Sequence, residues 1–169
     1  MRVVVQGSEL AAATAAAALA SVGHRVSWQP HPDQPWAELE QADWLSREPE
    51  LIAQLEAACR DGALTISDTS AELAAGIAEI DVLWLALAPD QRDAAQLAVE
   101  ELAARQSEPL VVVNNSTFPV GETERLEALM GHAGQVAVAL PDMLEEGRAW
   151  QVFTRPVRWL LGSEDARAT

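Results

Sequence analysis

The feature that most constrains the fold of this chain is a regular alternation of short apolar runs with longer segments of helical pattern. The first apolar run, residues 1–6, is rich in valine and stops at Gly7. An alanine-rich segment follows at residues 8–22, where helix propensity is high, and it ends before Gly23, a residue type that commonly terminates helices. This order of strand, tight turn and helix is typical of the first unit of a parallel α/β fold.

The same alternation continues to the end of the chain. Apolar strands that alternate with helices indicate a mainly parallel sheet, covered on both faces and connected by right-handed crossovers. We therefore predict a Rossmann-like α/β fold in three layers. Further strands are predicted at residues 25–29, 64–67, 81–87, 109–114, 135–140 and 157–162, and further helices at residues 49–61, 70–77, 90–105 and 122–131.

Length and charge bound the number of domains and the class of partner. The 169 residues suffice for one core, so we predict a single domain over residues 1–163 and a short tail at residues 164–169. The net charge of −15 would repel nucleic acids and anionic membranes, and no apolar run is long enough to span a bilayer. A protein partner is expected instead, with the oligomeric state left open. The single Cys59 indicates a reduced cytoplasm.

The turn after the first strand is the expected phosphate site of such a fold, because ligands bind at the carboxyl ends of parallel strands. The pattern G-x-G-x-x-G/A is met at Gly7 and Ala12, with Ser8 between them, but Glu9 stands at the second glycine. At about 4 Å and an effective dielectric near 20, its charge would repel a phosphate by roughly 4 kcal/mol, or about a thousandfold in affinity. The alternative is that Glu9 interacts favourably with the helix dipole.

A carboxylate that binds the adenosine ribose is expected at the end of the second strand, about 20 residues after the glycine turn. Pro30 occupies that place, and no acid stands beside it. Asp33 follows three residues later and could reach back if the loop curls. The alternative for Asp33 is a solvated loop residue.

Several motifs occur in the order in which one enzyme family carries them. The segment N-S-T-F-P-V-G after the fifth strand contains the signature S-T-x-P-x-G, and L-P-D-M-L-E-E-G is similar to the substrate loop N-P-E-F-L-x-E-G. On these motifs the chain resembles, over essentially its whole length, the N-terminal NAD-binding half of the UDP-glucose/GDP-mannose 6-dehydrogenases. The matching segments are residues 20–26, 47–51, 57–65, 81–86, 115–121, 140–147 and 155–163.

The resemblance implies roles for two residues and shows departures at others. Thr117 occupies the position of a hydroxyl that helps to hold the catalytic water, and Asp142 that of the catalytic glutamate. Their alternatives are a turn threonine and a loop aspartate. Residues 88–89 replace a G-T-P sequence near the nicotinamide, and Asn115 stands where relatives commonly have lysine.

These departures lead to an expectation of lost function. The vestigial cofactor set is Gly7, Ser8, Glu9, Ala12, Asp33 and Thr117, and we expect weak or no NAD binding and therefore no cofactor. No metal site is predicted. The catalytic cysteine and lysine of the family belong to a C-terminal half outside this chain, so the chain is expected not to be an enzyme by itself.

Three functions remain open on the sequence. The first is a non-catalytic binding or regulatory module linked to polysaccharide metabolism. The second is an NAD-binding fragment or subunit of an active dehydrogenase. The third is a binder of another small ligand, suggested by three tryptophans around the second strand and its loop: Trp28, Trp36 and Trp44.

Overall fold

The computed structural model of the protein describes residues 1–32, 34–39, 41–67, 80–106, 108–131 and 134–163. The helix predicted at residues 70–77 and the tail at residues 164–169 lie outside the described residues. Within them the strands form one parallel sheet in the order β3-β2-β1-β4-β5-β6. The predicted Rossmann-like α/β fold is therefore confirmed. The strands are β1 Arg2–Gln6, β2 Arg25–Gln29, β3 Leu64–Ile66, β4 Val82–Leu85, β5 Val111–Asn114 and β6 Val136–Ala139.

Alternate residues of a strand point to opposite sides of the sheet, so both faces of this sheet carry apolar side chains. Helices cover both faces. Val3 and Val5 of β1 belong to an apolar cluster with the helices of one face, and Val4 to a separate cluster on the other. No helix of the described part of the chain is long and apolar enough to cross a membrane. The helices are α1 Leu10–Ser21, α2 Trp36–Leu39, α3 Asp43–Ser46, α4 Pro49–Arg60, α5 Arg92–Arg105, α6 Glu122–Ala128 and α7 Ala149–Thr154.

The alanine-rich helix α1 is the centre of one face of the sheet. Nine of its twelve residues are buried, and it packs against α4, α7 and β2. Because alanine side chains are short, neighbouring elements can approach the helix backbone from several sides. The buried Thr14 satisfies its hydroxyl within the helix by donating to the carbonyl of Leu10 at 2.7 Å. The alanines thus fix the position of α1 over the sheet.

The strand predicted at residues 157–162 is wrong. Only an isolated antiparallel bridge forms there, in which the backbones of Ala139 and Gly162 exchange hydrogen bonds of 2.7 and 2.9 Å. Val157 and Leu161 are exposed, so their apolar character does not reflect burial in the sheet.

The short helices α2, α3 and α7 were not predicted from the sequence, and α6 ends earlier than expected. Helices of four to six residues carry too few turns for a periodic apolar pattern. Helix α7 packs against α1 and α4, which lie far from it in the sequence.

Replacement of Ala16 by leucine should destabilise the protein. Ala16 is fully buried within α1, and the larger side chain would force the packed neighbours apart. We expect the free energy of unfolding to fall by about 1–3 kcal/mol, measured by urea denaturation. The matched control is Ser21→Leu at the exposed end of the same helix, with an expected change within about 0.5 kcal/mol. Equal stabilities of the two variants would contradict the packing assigned to α1.

Candidate functional site

The turn between β1 and α1 brings two strand ends into very close contact. Gly7 has a φ of 138°, and a Cβ atom built on it would lie 1.9 Å from the carbonyl oxygen of Ala86. The same Cβ would lie 3.2 Å from that of Ala12. Only glycine fits at position 7. The turn therefore brings the backbones of β1 and β4 into contact at the carboxyl edge of the sheet.

Ser8 connects this turn to the loop after β2. Its buried hydroxyl accepts a hydrogen bond from the backbone N–H of His31 at 2.7 Å and donates to the carbonyl of Gln34 at 3.3 Å. Ser8 therefore holds the two loops together beside the start of α1.

Glu9 is the N-cap residue of α1, but its side chain makes no capping hydrogen bond and is exposed. An exposed charge is screened by water, where two unit charges 4 Å apart interact by only about 1 kcal/mol. The stronger repulsion predicted from the sequence assumed a fixed side chain in a protein-like medium. The structure leaves the carboxylate free to turn toward solvent.

A cleft of about 540 Å³ lies between the start of α1, helix α2 and the loop after β6. Its described lining contains the carboxylates of Glu9, Glu38, Asp142 and Glu146 and no basic side chain. Arg47 reaches Glu146 from outside the lining, at 3.0 Å. We call this the acidic cleft. It brings the predicted residues Ser8, Glu9 and Asp142 together.

A second cleft, of about 570 Å³, lies at the ends of β5 and β6. Thr117 and Asp142 both line it, so the structure brings together the two candidate catalytic residues. Both are exposed, and Asp142 accepts a hydrogen bond from the backbone N–H of Leu144 at 2.9 Å. Asp142 thus stands between the acidic cleft and the cleft of Thr117. Asp33 lies outside the described residues.

A third cleft, of about 350 Å³, opens on the other side of Gly7, between the end of β2 and helix α5. Pro30 lines it at the position where a ribose-binding acid was sought, and Gln29 lies next to it. We call this the β2 cleft.

Trp28 does not face any of these clefts. It is fully buried, its Nε1 donates to the carbonyl of Gly7 at 2.8 Å, and its ring meets Trp36 edge to face at 5.3 Å. Trp28 is therefore a core residue that supports the turn. Of the three tryptophans, only Trp44 lines the acidic cleft.

Cys59 is remote from the candidate site. It lies on α4 beside Trp36 and Ile66, and partial burial raises the pKa of its thiol above the ordinary value. A raised pKa favours the unreactive thiol over the thiolate. Cys59 therefore lacks the surroundings of an activated nucleophile.

Asn115 organises the strand ends, a role that the sequence did not reveal. Its buried amide donates to the carbonyl of Leu140 at 2.8 Å and accepts from Nε1 of Trp84 at 3.2 Å. The neighbouring Ser116 accepts from the backbone N–H of Leu87 at 3.0 Å. These bonds join the ends of β4, β5 and β6. The sequence marked Asn115 only as a departure from the family's lysine and gave no sign of these hydrogen bonds.

Glu48 is a second residue that the sequence missed. Its buried carboxylate accepts hydrogen bonds from the backbone N–H groups of Gly147 and Ala149, the latter at 3.1 Å. These are groups at the start of α7, where helix N–H groups lack partners within the helix. Glu48 thereby anchors the far end of the loop that carries Asp142.

Comparison with known proteins identifies the family. The family model described as "UDP-glucose/GDP-mannose dehydrogenase family, NAD binding domain" matches residues 1–169. The chain belongs to this family. It is 33% identical, over 99% of its length, to a UDP-glucose 6-dehydrogenase of Pseudomonas aeruginosa, and it covers 40% of that protein. The chain thus spans about two fifths of the length of this relative.

Solved structures agree on the fold. A UDP-glucose dehydrogenase from Pyrobaculum islandicum matches 99% of the chain with a TM-score of 0.76 and 24% identity, and the chain covers 41% of it. A GDP-mannose dehydrogenase from Pseudomonas aeruginosa matches 99% with a TM-score of 0.77 and 20% identity, and 42% of it is covered.

The expectation that the chain has no cofactor is wrong. The family domain that matches the whole chain is an NAD-binding domain, which indicates NAD as the cofactor. The expectation relied on a full repulsive charge at Glu9, and the exposure of that side chain weakens this argument.

Replacement of Glu48 by alanine should loosen the loop that carries Asp142. The buried N–H group of Ala149 and the more exposed one of Gly147 would lose their acceptor, so we expect the free energy of unfolding to fall by about 1–3 kcal/mol. Glu48→Gln keeps one acceptor oxygen and should cost less. Denaturation, together with hydrogen exchange at Gly147 and Ala149, measures both effects.

Glu50→Ala is the matched control for Glu48. Glu50 also reaches α7, accepting from Gln151 at 3.1 Å, but it is exposed. Its replacement should change stability by less than about 0.5 kcal/mol. If Glu48→Ala left exchange at Gly147 unchanged, the anchoring role would be refuted.

Proposed function

We propose that this chain binds NAD at the carboxyl edge of its sheet and serves as the NAD-binding domain of a nucleotide-sugar 6-dehydrogenase. The observation that carries the proposal is the Gly7 turn. The Gly7 turn holds the ends of β1 and β4 together at the carboxyl edge of the sheet, and the start of the twelve-residue helix α1, whose backbone N–H groups can bind a pyrophosphate, lies directly beyond it. The family match over the whole chain supports the same assignment.

The residues on either side of the turn fit a dinucleotide. The β2 cleft and the acidic cleft flank Gly7, which gives an elongated ligand room on both sides of the turn. In the β2 cleft the buried amide nitrogen of Gln29 has no hydrogen-bond partner among the described residues.

The chemistry of the proposed reaction is divided between cofactor and protein. Bound NAD supplies a hydride acceptor. Thr117 and Asp142 line one cleft, so a hydroxyl and a carboxylate are both available to a ligand bound there. We propose that Asp142 takes a proton in this cleft and that Thr117 orients the group that loses it.

Val157, Trp159 and Leu161 support the proposal of a protein partner. Met143, Val157, Trp159 and Leu160 line a cleft of about 460 Å³, and Leu161 is exposed next to them in the chain. Exposed apolar patches mark interaction sites when they are contiguous. We propose that the part of a nucleotide-sugar dehydrogenase not represented in this chain covers this surface. The free thiol of Cys59 supports a cytoplasmic location.

A non-catalytic binding module is the second candidate function. It is favoured by the four carboxylates of the acidic cleft and by the shorter acid at Asp142. In that function the fold would bind NAD, or a protein linked to polysaccharide metabolism, without turnover.

NAD titrated into the purified chain should bind saturably at one site, as measured by calorimetry. Glu9→Gly should strengthen binding up to about fivefold, because removal of a screened charge about 4 Å from phosphate is worth about 1 kcal/mol. Glu38→Gln, which removes a carboxylate from α2 in the same cleft, is the control and should have a smaller effect. Absence of heat at millimolar NAD with both the native chain and Glu9→Gly would refute the proposal.

A chimera separates the two candidate functions. This chain would replace the matching 40% of the Pseudomonas aeruginosa UDP-glucose 6-dehydrogenase, with NADH formation followed by absorbance. We expect turnover that requires both UDP-glucose and NAD and that falls about a hundredfold in Asp142→Asn. A chimera that is folded and binds NAD but gives no NADH would favour the non-catalytic module.

A further inference from the structure

One buried side chain is connected to both candidate catalytic residues. Asn115 is 5% exposed, and Thr117 follows it by two positions in the chain. Its Nδ2 donates to the carbonyl of Leu140 at 2.8 Å, and Asp142 follows Leu140 by two positions. Thr117 and Asp142 are themselves exposed. Asn115 is therefore a buried point from which both exposed residues are reached within two positions of the chain.

The partners of Asn115 leave its amide only one orientation. The indole N–H of Trp84 can only donate, and it donates to Oδ1 of Asn115 at 3.2 Å. The carbonyl of Leu140 can only accept, so it requires the amide nitrogen. A flipped amide would place a donor against the indole N–H and an acceptor against the carbonyl. The side chain is therefore held in the orientation that binds Leu140.

The peptide plane between Leu140 and Pro141 can be held by hydrogen bonds only through its carbonyl. Proline has no backbone N–H, so the carbonyl of Leu140 is the one hydrogen-bonding group of this plane. The proline ring also fixes the φ of Pro141 at about −65°. Only the ψ of Pro141 then separates the held plane from the backbone of Asp142. The bond from Asn115 thus determines the direction in which the chain leaves the sheet toward Asp142.

Asn115 and Leu140 are both fixed through their backbones as well. The backbone N–H of Asn115 donates to the carbonyl of Leu85, at the end of β4, at 2.8 Å. The backbone N–H of Leu140 donates to the carbonyl of Asn114 at 2.9 Å. Leu140 is therefore held at its N–H and at its carbonyl by two consecutive residues, Asn114 and Asn115. The end of β6 cannot turn without breaking one of these bonds.

We propose that Asn115 is a positioning residue for the proposed dehydrogenase reaction. It acts through Leu140 and Pro141, and it holds Asp142 at the cleft that Thr117 also lines. The inference rests on the proposed function and adds the residue that sets the place of the proton acceptor. A displacement of about 1 Å in a catalytic geometry can cost about a hundredfold in rate.

The test is steady-state turnover of the chimera with UDP-glucose and NAD. Asn115→Leu removes both hydrogen bonds of the side chain, so we expect kcat to fall by about thirty- to a hundredfold. The KM for NAD should change by less than about threefold, because the Gly7 turn is held by other residues. Asn115→Ser has a hydroxyl too short to reach Leu140. It should give the same loss, and it provides the decision if Asn115→Leu does not fold.

Trp84→Phe separates the two hydrogen bonds of Asn115. It removes the indole N–H and leaves the bond from Asn115 to Leu140. We therefore expect kcat to fall by less than about threefold, whatever the loss of stability.

Gln106→Leu is the matched control for the loss of a buried amide. Gln106 is 6% exposed, and its amide accepts from and donates to the backbone of Ile80 at 2.9 and 2.6 Å. Ile80 precedes β4, so this amide lies at the opposite end of the sheet from Asp142. The replacement should lower the melting temperature and leave kcat unchanged.

A double variant decides whether Asn115 acts through Asp142. Asp142→Asn removes the carboxylate, so the place of that side chain no longer affects proton transfer. Addition of Asn115→Leu to Asp142→Asn should then slow turnover by less than about threefold further. A side chain that only stabilises the fold would instead multiply the two losses.

The failures of the inference and of the proposed function are distinguishable. Native kcat in folded Asn115→Leu, or multiplied losses in the double variant, would overturn the inference and leave the proposed function standing. The same holds if Trp84→Phe or Gln106→Leu is as slow as Asn115→Leu. If the chimera with the native chain forms no NADH, the proposed catalytic function and the inference are both refuted.

Discussion

The contact between Gly7 and the carbonyl of Ala86 is the constraint on which the candidate site depends. It requires a residue without a Cβ at the end of β1, and it brings the ends of β1 and β4 together. Trp28 supports the turn from below through its bond to the Gly7 carbonyl, and Ser8 ties it to the next loop. This contact between β1 and β4 fixes where α1 begins and where the clefts on either side of the turn lie. The charged residues around the turn can change while the contact between Gly7 and Ala86 is kept.

The parts of the fold that depend on local pattern could be predicted from the sequence. Runs of valine marked β1 and β5, and the alanine segment marked α1, because strand and helix preferences act over a few residues. The strand predicted at residues 157–162 does not form, because an apolar pattern does not show whether a neighbouring strand is available for pairing. Helix α7 was missed because Glu48, far away in the sequence, caps its start.

The candidate site was predictable only in part for a similar reason. The motifs placed Gly7, Thr117 and Asp142 at the sheet edge because each follows directly after a strand that the sequence predicts. The repulsion between Glu9 and a phosphate could not be predicted in this way, because it depends on how far the side chain is exposed to water. The buried partnerships of Asn115 and Glu48 likewise exist only between segments that the fold brings together. Sequence patterns thus identify positions better than they identify energies.

The bond between Glu48 and Ala149 has a consequence for the order of folding. The two residues are 101 positions apart, so the bond closes a loop that spans most of the chain. Contacts of such long sequence separation carry a large entropic cost and form late, after local helices and neighbouring strands. The loop of Asp142 therefore takes its shape only once both halves of the sheet have assembled.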